Sequence, residues 1–306
     1  MPIDTLTGKI ATMRNPTVAG LDPRIEYIPD DIMSRHISEK GETLLAAADA
    51  FLEFNKGLVD ALCDIVPAVK LQSACYEMLG IHGISALMES AAYAGSKGMY
   101  VILDCKRGDI GSTAEAYSAA YLGRVTVGSV SHSPFFCDAL TVNPYLGSDG
   151  LKPFIKDCAA YGKSIFVLVK TSNPSSVELQ DLIAGDRHLY KSVAELVRNL
   201  GLDSVGGTGY SAVGAVIGAT HPKQLKELRT YLPNTFFLVP GYGAQGGDAY
   251  DIAPAFKRDG SGAIINSSRA IMCAWKKNAG MPFGDAARAE ALRMSAEIKK
   301  VVPALA

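Results

Sequence analysis

Val101-Ile102-Leu103-Asp104-Cys105-Lys106-Arg107-Gly108-Asp109-Ile110-Gly111-Ser112-Thr113 is the stretch on which the reading of this sequence turns. It begins as an apolar, strand-forming run from Tyr100. It ends among glycines, where Ser112 and Glu115 have the spacing of a capping box at a helix start. Four charges lie between. Strand side chains alternate, so Asp104 and Lys106 are expected on one face, about 7 Å apart along the backbone, with Cys105 and Arg107 on the other. Gly108 lets the chain turn, and Asp109 falls on the loop before the helix. A surface ion-pair cluster is the plain alternative, and such clusters contribute little. Charges directly after a buried strand more often mark a site.

The same strand-then-helix unit recurs on both sides of this stretch. Short apolar runs at 17–22, 68–72, 100–106, 139–145, 164–171, 212–219, 236–241 and 262–267 read as strands. Most are rich in Val, Ile and Leu without alternation, as parallel strands buried on both faces are. Helical spacing of apolar residues appears at 44–65, 84–96, 114–125, 151–160, 190–200, 222–231, 249–257 and 285–301. Eight strands alternating with helices predict an α/β fold, a single-domain (β/α)8 TIM barrel over residues 1–306. A doubly wound sheet usually has fewer strands and carries its glycine fingerprint after the first one. Two connections exceed a minimal barrel, near 23–43 and 181–210. The second ends in Gly206-Gly207-Thr208-Gly209, which reads as a flexible loop.

Composition narrows the function. Of 306 residues, 48% are hydrophobic and 20% charged, as in an ordinary globular protein, and the net charge of −1 offers no footprint for nucleic acid or an acidic membrane surface. No apolar run approaches a membrane span, and the first residues lack the apolar core of a signal peptide. The six cysteines form no CxxC pair and no metal-ligand spacing with histidine. Reduced thiols in a cytoplasmic protein are the expectation.

In a barrel the chemistry belongs at the C-terminal ends of the strands. Those ends carry Asp22, Lys70, Asp104 with Lys106, Asn143, Lys170-Thr171-Ser172, Gly241–Gly247 and Ser268-Arg269, a ring of polar groups after apolar runs. A lone Lys70 would read as a lysine with its head in water. Beside Asp104, Lys106 and Asp109 it reads as part of an alternating set in which each charge neutralises its neighbours. Gly241-Tyr242-Gly243-Ala244-Gln245-Gly246 matches GxGxxG but lies late in the chain, with no clear acidic ribose partner after it. The better reading is a phosphate cradle of backbone N–H groups after strand seven, with Arg269 after strand eight as its charged partner.

Asp104-x-Lys106-x-x-Asp109-Ile110, with Lys70 one strand earlier, resembles the signature of the orotidine 5′-phosphate decarboxylase family. The longer form through Thr113 is similar to its bacterial subgroup with longer chains. So are Leu21-Asp22-Pro23, the segments 70–77, 141–147 and 240–248, and Thr171-Ser172-Asn173-Pro174. The resemblance implies decarboxylation of orotidine 5′-phosphate to UMP in pyrimidine synthesis, without metal or cofactor. Loss of CO2 from C6 leaves a carbanion with no adjacent electron sink, so fixed charge must stabilise it.

By the same resemblance, Lys106 would stabilise C6 and protonate it, and Asp104 would hold Lys106 beside the substrate carboxylate. Lys70 and Asp109 would complete the network, Asp22 would bind the ribose and Ser172 the pyrimidine edge. Gln245, the amides of Gly246 and Gly247, and Arg269 would grip the phosphate. Asp109, Ile110 and Thr113 would enter the neighbouring subunit's site, which implies a homodimer. Two positions depart from the pattern. Ser268 stands where many members have glycine, and Leu71 where a proline is common.

Other classes stay open on the sequence. Mg2+-dependent sugar-phosphate enzymes of the same barrel superfamily share the Asp-x-Lys-x-x-Asp motif, but they would need an acid where Lys70 stands. A Schiff-base aldolase needs a neutral lysine, which the flanking carboxylates of Lys106 oppose. A catalytically silent nucleotide-phosphate binding protein is opposed only by the completeness of the charge set.

Overall fold

Each apolar run expected to be a strand forms one, at β1 (Thr17–Leu21), β2 (Ala68–Gln72), β3 (Tyr100–Arg107), β4 (Ala139–Val142), β5 (Ser164–Lys170), β6 (Val213–Ile217), β7 (Phe237–Val239) and β8 (Ala263–Ser267). The structure, a computed structural model, describes residues 2–243, 246–278 and 280–306. The strands pair in parallel in sequence order, and β8 returns to β1 to close the barrel. β1, β6 and β8 are buried along their whole length, because one face meets the barrel interior and the other the helices.

The helices outside the barrel are α1 (Leu44–Leu62), α2 (Gly80–Ser96), α3 (Gly111–Tyr121), α4 (Ser148–Tyr161), α5 (Leu189–Gly201), α6 (Pro222–Tyr231), the short α7 (Ala249–Ile252) and α8 (Phe283–Val301). Thr43 caps α1, its hydroxyl accepting from the Ala46 N–H at 3.1 Å. Among the described residues no helix is long and apolar enough to cross a membrane.

Several local expectations are corrected. The Ser112–Glu115 capping box does not form: α3 starts at Gly111 after Ile110, so Ser112 lies inside the first turn and caps nothing. α3 also stops at Tyr121. The β-branched residues beyond it pair as an antiparallel hairpin, Val125–Val127 with Val130–His132, turning at Gly128 with φ +63°. The polar connection near 23–43 contains a helix, Asp30–Lys40, with acids in its first turn and Lys40 in its last. Arg35 on that helix makes a two-pronged bond to Glu53 of α1, at 2.6 and 3.0 Å. Within the connection near 181–210 the helix expected at 190–200 is present as α5, and a small hairpin of Ile183–Ala184 with Arg187–His188, not expected, precedes it.

The first residues also form a helix, Pro2–Met13, absent from the sequence reading. Ile3, Leu6 and Ile10 are buried along one side of it. Ile10 lines a small cavity with Phe236 and Ala263 at the N-terminal ends of the strands. Asp4 of this helix accepts from the Gly207 and Thr208 amides at 3.1 and 2.9 Å and from the Thr208 hydroxyl at 2.5 Å. The Gly206–Gly209 loop is therefore tied down, and it sits at the end of the barrel opposite the ring of polar groups. Partial burial is the largest single influence and raises the Asp4 carboxyl, but its hydrogen bonds to Thr208 and Gly207 together outweigh that and lower it to about 2.

Candidate active site

All eight strand ends contribute to a cavity of about 670 Å3 at the C-terminal mouth of the barrel. Its two sides differ. Asp22, Lys70, Asp104 and Lys106 line the side made by β1 to β3, and Leu168, Val216 and Leu238 line the side made by β5 to β7. A flat apolar body with one charged edge fits such a space.

Asp104 is the centre of the charged side. Its Oδ1 accepts from Lys106 Nζ at 2.7 Å and from the Thr141 hydroxyl at 2.8 Å. Its Oδ2 accepts from Lys70 Nζ at 2.9 Å and from Gln72 Nε2 at 3.1 Å. Lys70 reaches on to Asp22 Oδ1 at 3.3 Å. Burial disfavours the Asp104 charge, but the Lys70 and Lys106 ammoniums more than offset this and hold its carboxyl far below the usual range. Lys70 is likewise penalised by burial, and Asp104 and Asp22 nevertheless raise it above an ordinary lysine. The Lys106 side chain is 43% exposed, so its ammonium is the part of the network that faces incoming substrate.

The backbone is irregular at the reacting residue. Leu103 pairs with Leu140 and Arg107 with Val142, so β3 spends four residues where β4 spends two. Lys106 takes up the excess at φ +50°, the left-handed region that a long side chain rarely occupies. The Lys106 N–H, displaced from the ladder, donates to the Thr141 hydroxyl at 2.9 Å. Thr141 thus links the backbone of Lys106 to the carboxylate that holds its side chain.

The expected residues separate into groups. Lys70, Asp104, Lys106, Asp22, Ser172 and Arg269 line the one cavity. Asp109 and Thr113 do not, and the four-member charge set expected around Lys106 lacks Asp109 within this chain. The reason is the course of the backbone: Gly108 packs on Asn143 and the Asp109 carbonyl packs on Gly150. The chain therefore leaves the mouth before Asp109, whose carboxylate accepts from the Ile110 N–H at 2.8 Å. Gly246 and Gly247 line an adjoining cavity of about 490 Å3. Their amides donate within the turn, Gly246 to the Gly243 carbonyl at 3.0 Å and Gly247 to the Gly241 carbonyl at 3.3 Å. Gln245 lies outside the described residues.

Three site residues escaped the role assignments made on sequence. Gln72 follows Lys70 at the period of a strand face, a signal that was available. Thr141 was noticed only within a longer similar segment. Gln180 lies in the connection after β5 and has no motif around it. Among the described residues no group of His, Cys, Asp or Glu is arranged to hold a metal ion.

The family model for orotidine 5′-phosphate decarboxylase / HUMPS matches residues 42–279. The chain is 45% identical over 289 residues to the orotidine 5′-phosphate decarboxylase of Rhodopirellula baltica, covering 92% of this chain and 94% of that protein. It is 43% identical over 273 residues to the enzyme of the same name from Caldicellulosiruptor bescii, covering 89% and 90%. The structure of Leishmania donovani OMP decarboxylase superposes with a TM-score of 0.74 at 32% identity, covering 98% of both chains. With its closed barrel and its Lys–Asp–Lys cluster at the mouth, this chain belongs to the orotidine 5′-phosphate decarboxylase / HUMPS family.

Proposed function

We propose that this chain converts orotidine 5′-phosphate to UMP and CO2, and that the observation carrying the chemistry is Asp104 held between Lys70 and Lys106 at the cavity mouth. The C6–carboxyl bond breaks, its electron pair stays on C6 and CO2 departs. The Lys106 ammonium stabilises that pair and then delivers the proton that completes UMP. Neutral Lys106 recovers its proton from water. The carboxylate of Asp104 is fixed by four hydrogen bonds, so it does not retreat when the substrate carboxylate approaches. Preorganised charge of this kind needs no rearrangement as the transition state forms.

The remaining roles follow the walls of the cavity. Asp22, paired with Lys70, faces the ribose. Ser172 would take the base and Arg269 the phosphate, and the family resemblance adds Gln245 and the Gly246 and Gly247 amides as further phosphate ligands. The finer reading is a cytoplasmic homodimer with shared sites. Its support is that Asp109 and Thr113 stay out of their own cavity, while Ile110 between them is 54% exposed. Asp109 and Thr113 then complete the site of a second copy.

The Mg2+-dependent sugar-phosphate reading is disfavoured by Lys70, whose ammonium stands 2.9 Å from Asp104 where a divalent ion would need an acid. The test is release of CO2 from orotidine 5′-phosphate by protein dialysed against EDTA. Turnover should be the same with and without the chelator. No release of CO2, or release restored only by Mg2+, overturns the proposal.

A further inference from the structure

A second buried lysine, besides Lys70, stands at the mouth of the barrel and takes no part in the charge network. Lys170 ends β5, and strand alternation from Leu168, which lines the cavity, would aim it inward too. The pairing with β6 shows why it is not there. Val216 pairs with Leu168 and the next residue, Ile217, pairs with Lys170, so Val169 is an extra residue and the strand bulges. A bulge beside a site re-aims a side chain. Lys170 is turned out of the mouth into the loop that follows β5.

There the ammonium, with the whole residue 0% exposed, donates to Asp181 Oδ1 at 2.7 Å and lies 3.5 Å from the Ser176 hydroxyl. The Tyr190 ring covers it at 5.8 Å. A second pair of bonds closes the same loop one residue further in. Gln180 Oε1 accepts from the Thr171 N–H at 2.9 Å, and Gln180 Nε2 donates to the Thr171 hydroxyl at 2.7 Å. The segment from 171 to 180 is thereby shut at both ends, and Ser172 and Gln180 line the cavity from it. Ser172 is fixed from behind as well. Its Cα would be 2.7 Å from a Cβ on Gly218, and its carbonyl accepts from the Thr220 hydroxyl at 3.2 Å.

We infer that Lys170 and Asp181 form a clasp that sets Ser172 and Gln180 in place at the base-binding end of the cavity, which makes Lys170 a positioning residue for the reaction. The inference rests on the reading that the cavity takes a pyrimidine nucleotide. An ion pair whose lysine is fully buried and whose aspartate is half-buried adds little stability but fixes one arrangement. Here the arrangement it fixes is that of a loop carrying two polar groups toward the ligand.

The experiment uses two ligands, UMP and ribose 5-phosphate, the second carrying a hydroxyl on C1 where the first carries the base. Dissociation constants are measured for both with the unaltered protein, Lys170→Met, Asp181→Ala and Asp181→Asn. Lys170→Met and Asp181→Ala should weaken UMP binding roughly tenfold, the scale of one or two lost hydrogen bonds. Ribose 5-phosphate should stay within about twofold, because it has nothing at that end. Asp181→Asn keeps an oxygen acceptor for the ammonium and should restore most of the UMP affinity. If Lys170→Met does not fold, the two Asp181 variants decide. Equal effects on both ligands, or none on either, overturn the clasp while leaving the functional reading intact. Failure of the unaltered protein to bind either ligand overturns that reading, and the clasp's assigned task with it.

Discussion

The charged side of the cavity and the glycine-rich turn after β7 are built on opposite plans. On the charged side every acceptor position of Asp104 is filled before any ligand arrives, by donors from β2, β3 and β4. In the turn, the amides expected to hold a phosphate are donated to carbonyls of the turn itself. One region is finished; the other must exchange partners in order to bind. The difference matches the two tasks. Groups that act on the reacting bond gain most from being fixed in advance. Groups that hold a remote part of the substrate can instead convert binding energy into closure of the site.

Three substitutions would break or sharpen this contrast. The largest effect is expected at Lys106. Lys106→Ala should lower kcat by roughly 1000-fold or more, since both charge stabilisation and proton delivery are lost. UMP affinity should change only a few-fold. Turnover close to that of the unaltered protein, in a folded Lys106→Ala variant, would remove the charged side from the mechanism.

Next comes Asp104→Asn, read through stability. Removing the carboxylate at the centre of the cluster leaves Lys106 without its partner and the buried Lys70 with Asp22 alone, and should cost about 3 kcal/mol near neutral pH. The folded-state value of Asp104 is depressed, so its contribution is complete above the unfolded value of about 3.9 and is lost as pH falls below that. The difference in urea midpoint between the two proteins should therefore be constant down to about pH 5 and narrow in stronger acid. A pH-independent gap would mean that Asp104 is not the ionised centre of the network.

The smallest of the three probes the other region. Arg269→Ala should lower kcat/KM for orotidine 5′-phosphate by roughly 30- to 150-fold, the worth of one charged hydrogen bond at about 2–3 kcal/mol. For orotidine without its phosphate the loss should be much smaller. Equal losses on both substrates would detach Arg269 and the turn from the phosphate.

The barrel was legible because its signal is repeated. Eight apolar runs spaced by helical patterns constrain one another, and an error of a residue or two at any strand end changes nothing. The charge cluster was legible because Asp104, Lys106 and Lys70 sit where strand periodicity puts them. What escaped was whatever depends on irregular backbone. Lys106 keeps its expected side only through a left-handed residue and two extra positions in β3, and Lys170 loses its expected side through a single bulge. Periodicity treats these two strand-terminal lysines alike, and only pairing registers separate them. The N-terminal helix had a readable pattern in Ile3, Leu6 and Ile10, yet the polar residues between them hid it. The Gly206–Gly209 loop looked free because its anchor, Asp4, lies some two hundred residues away in the chain.

Ser268 has a close neighbour across the barrel seam. A Cβ on Gly20 of β1 would stand 1.9 Å from the Ser268 hydroxyl and 2.7 Å from its Cβ. Gly20 does not need its freedom of φ; it needs to be small, because Ser268 already occupies the space above it. The two positions are therefore not independent sites of variation. A lineage carrying Ser268 is confined to glycine at position 20, and with glycine at 268 a Cβ at position 20 would still press on Asn266 Oδ1 at 3.1 Å. The order in which such changes can accumulate has a direction: 268 must be emptied before 20 can be filled.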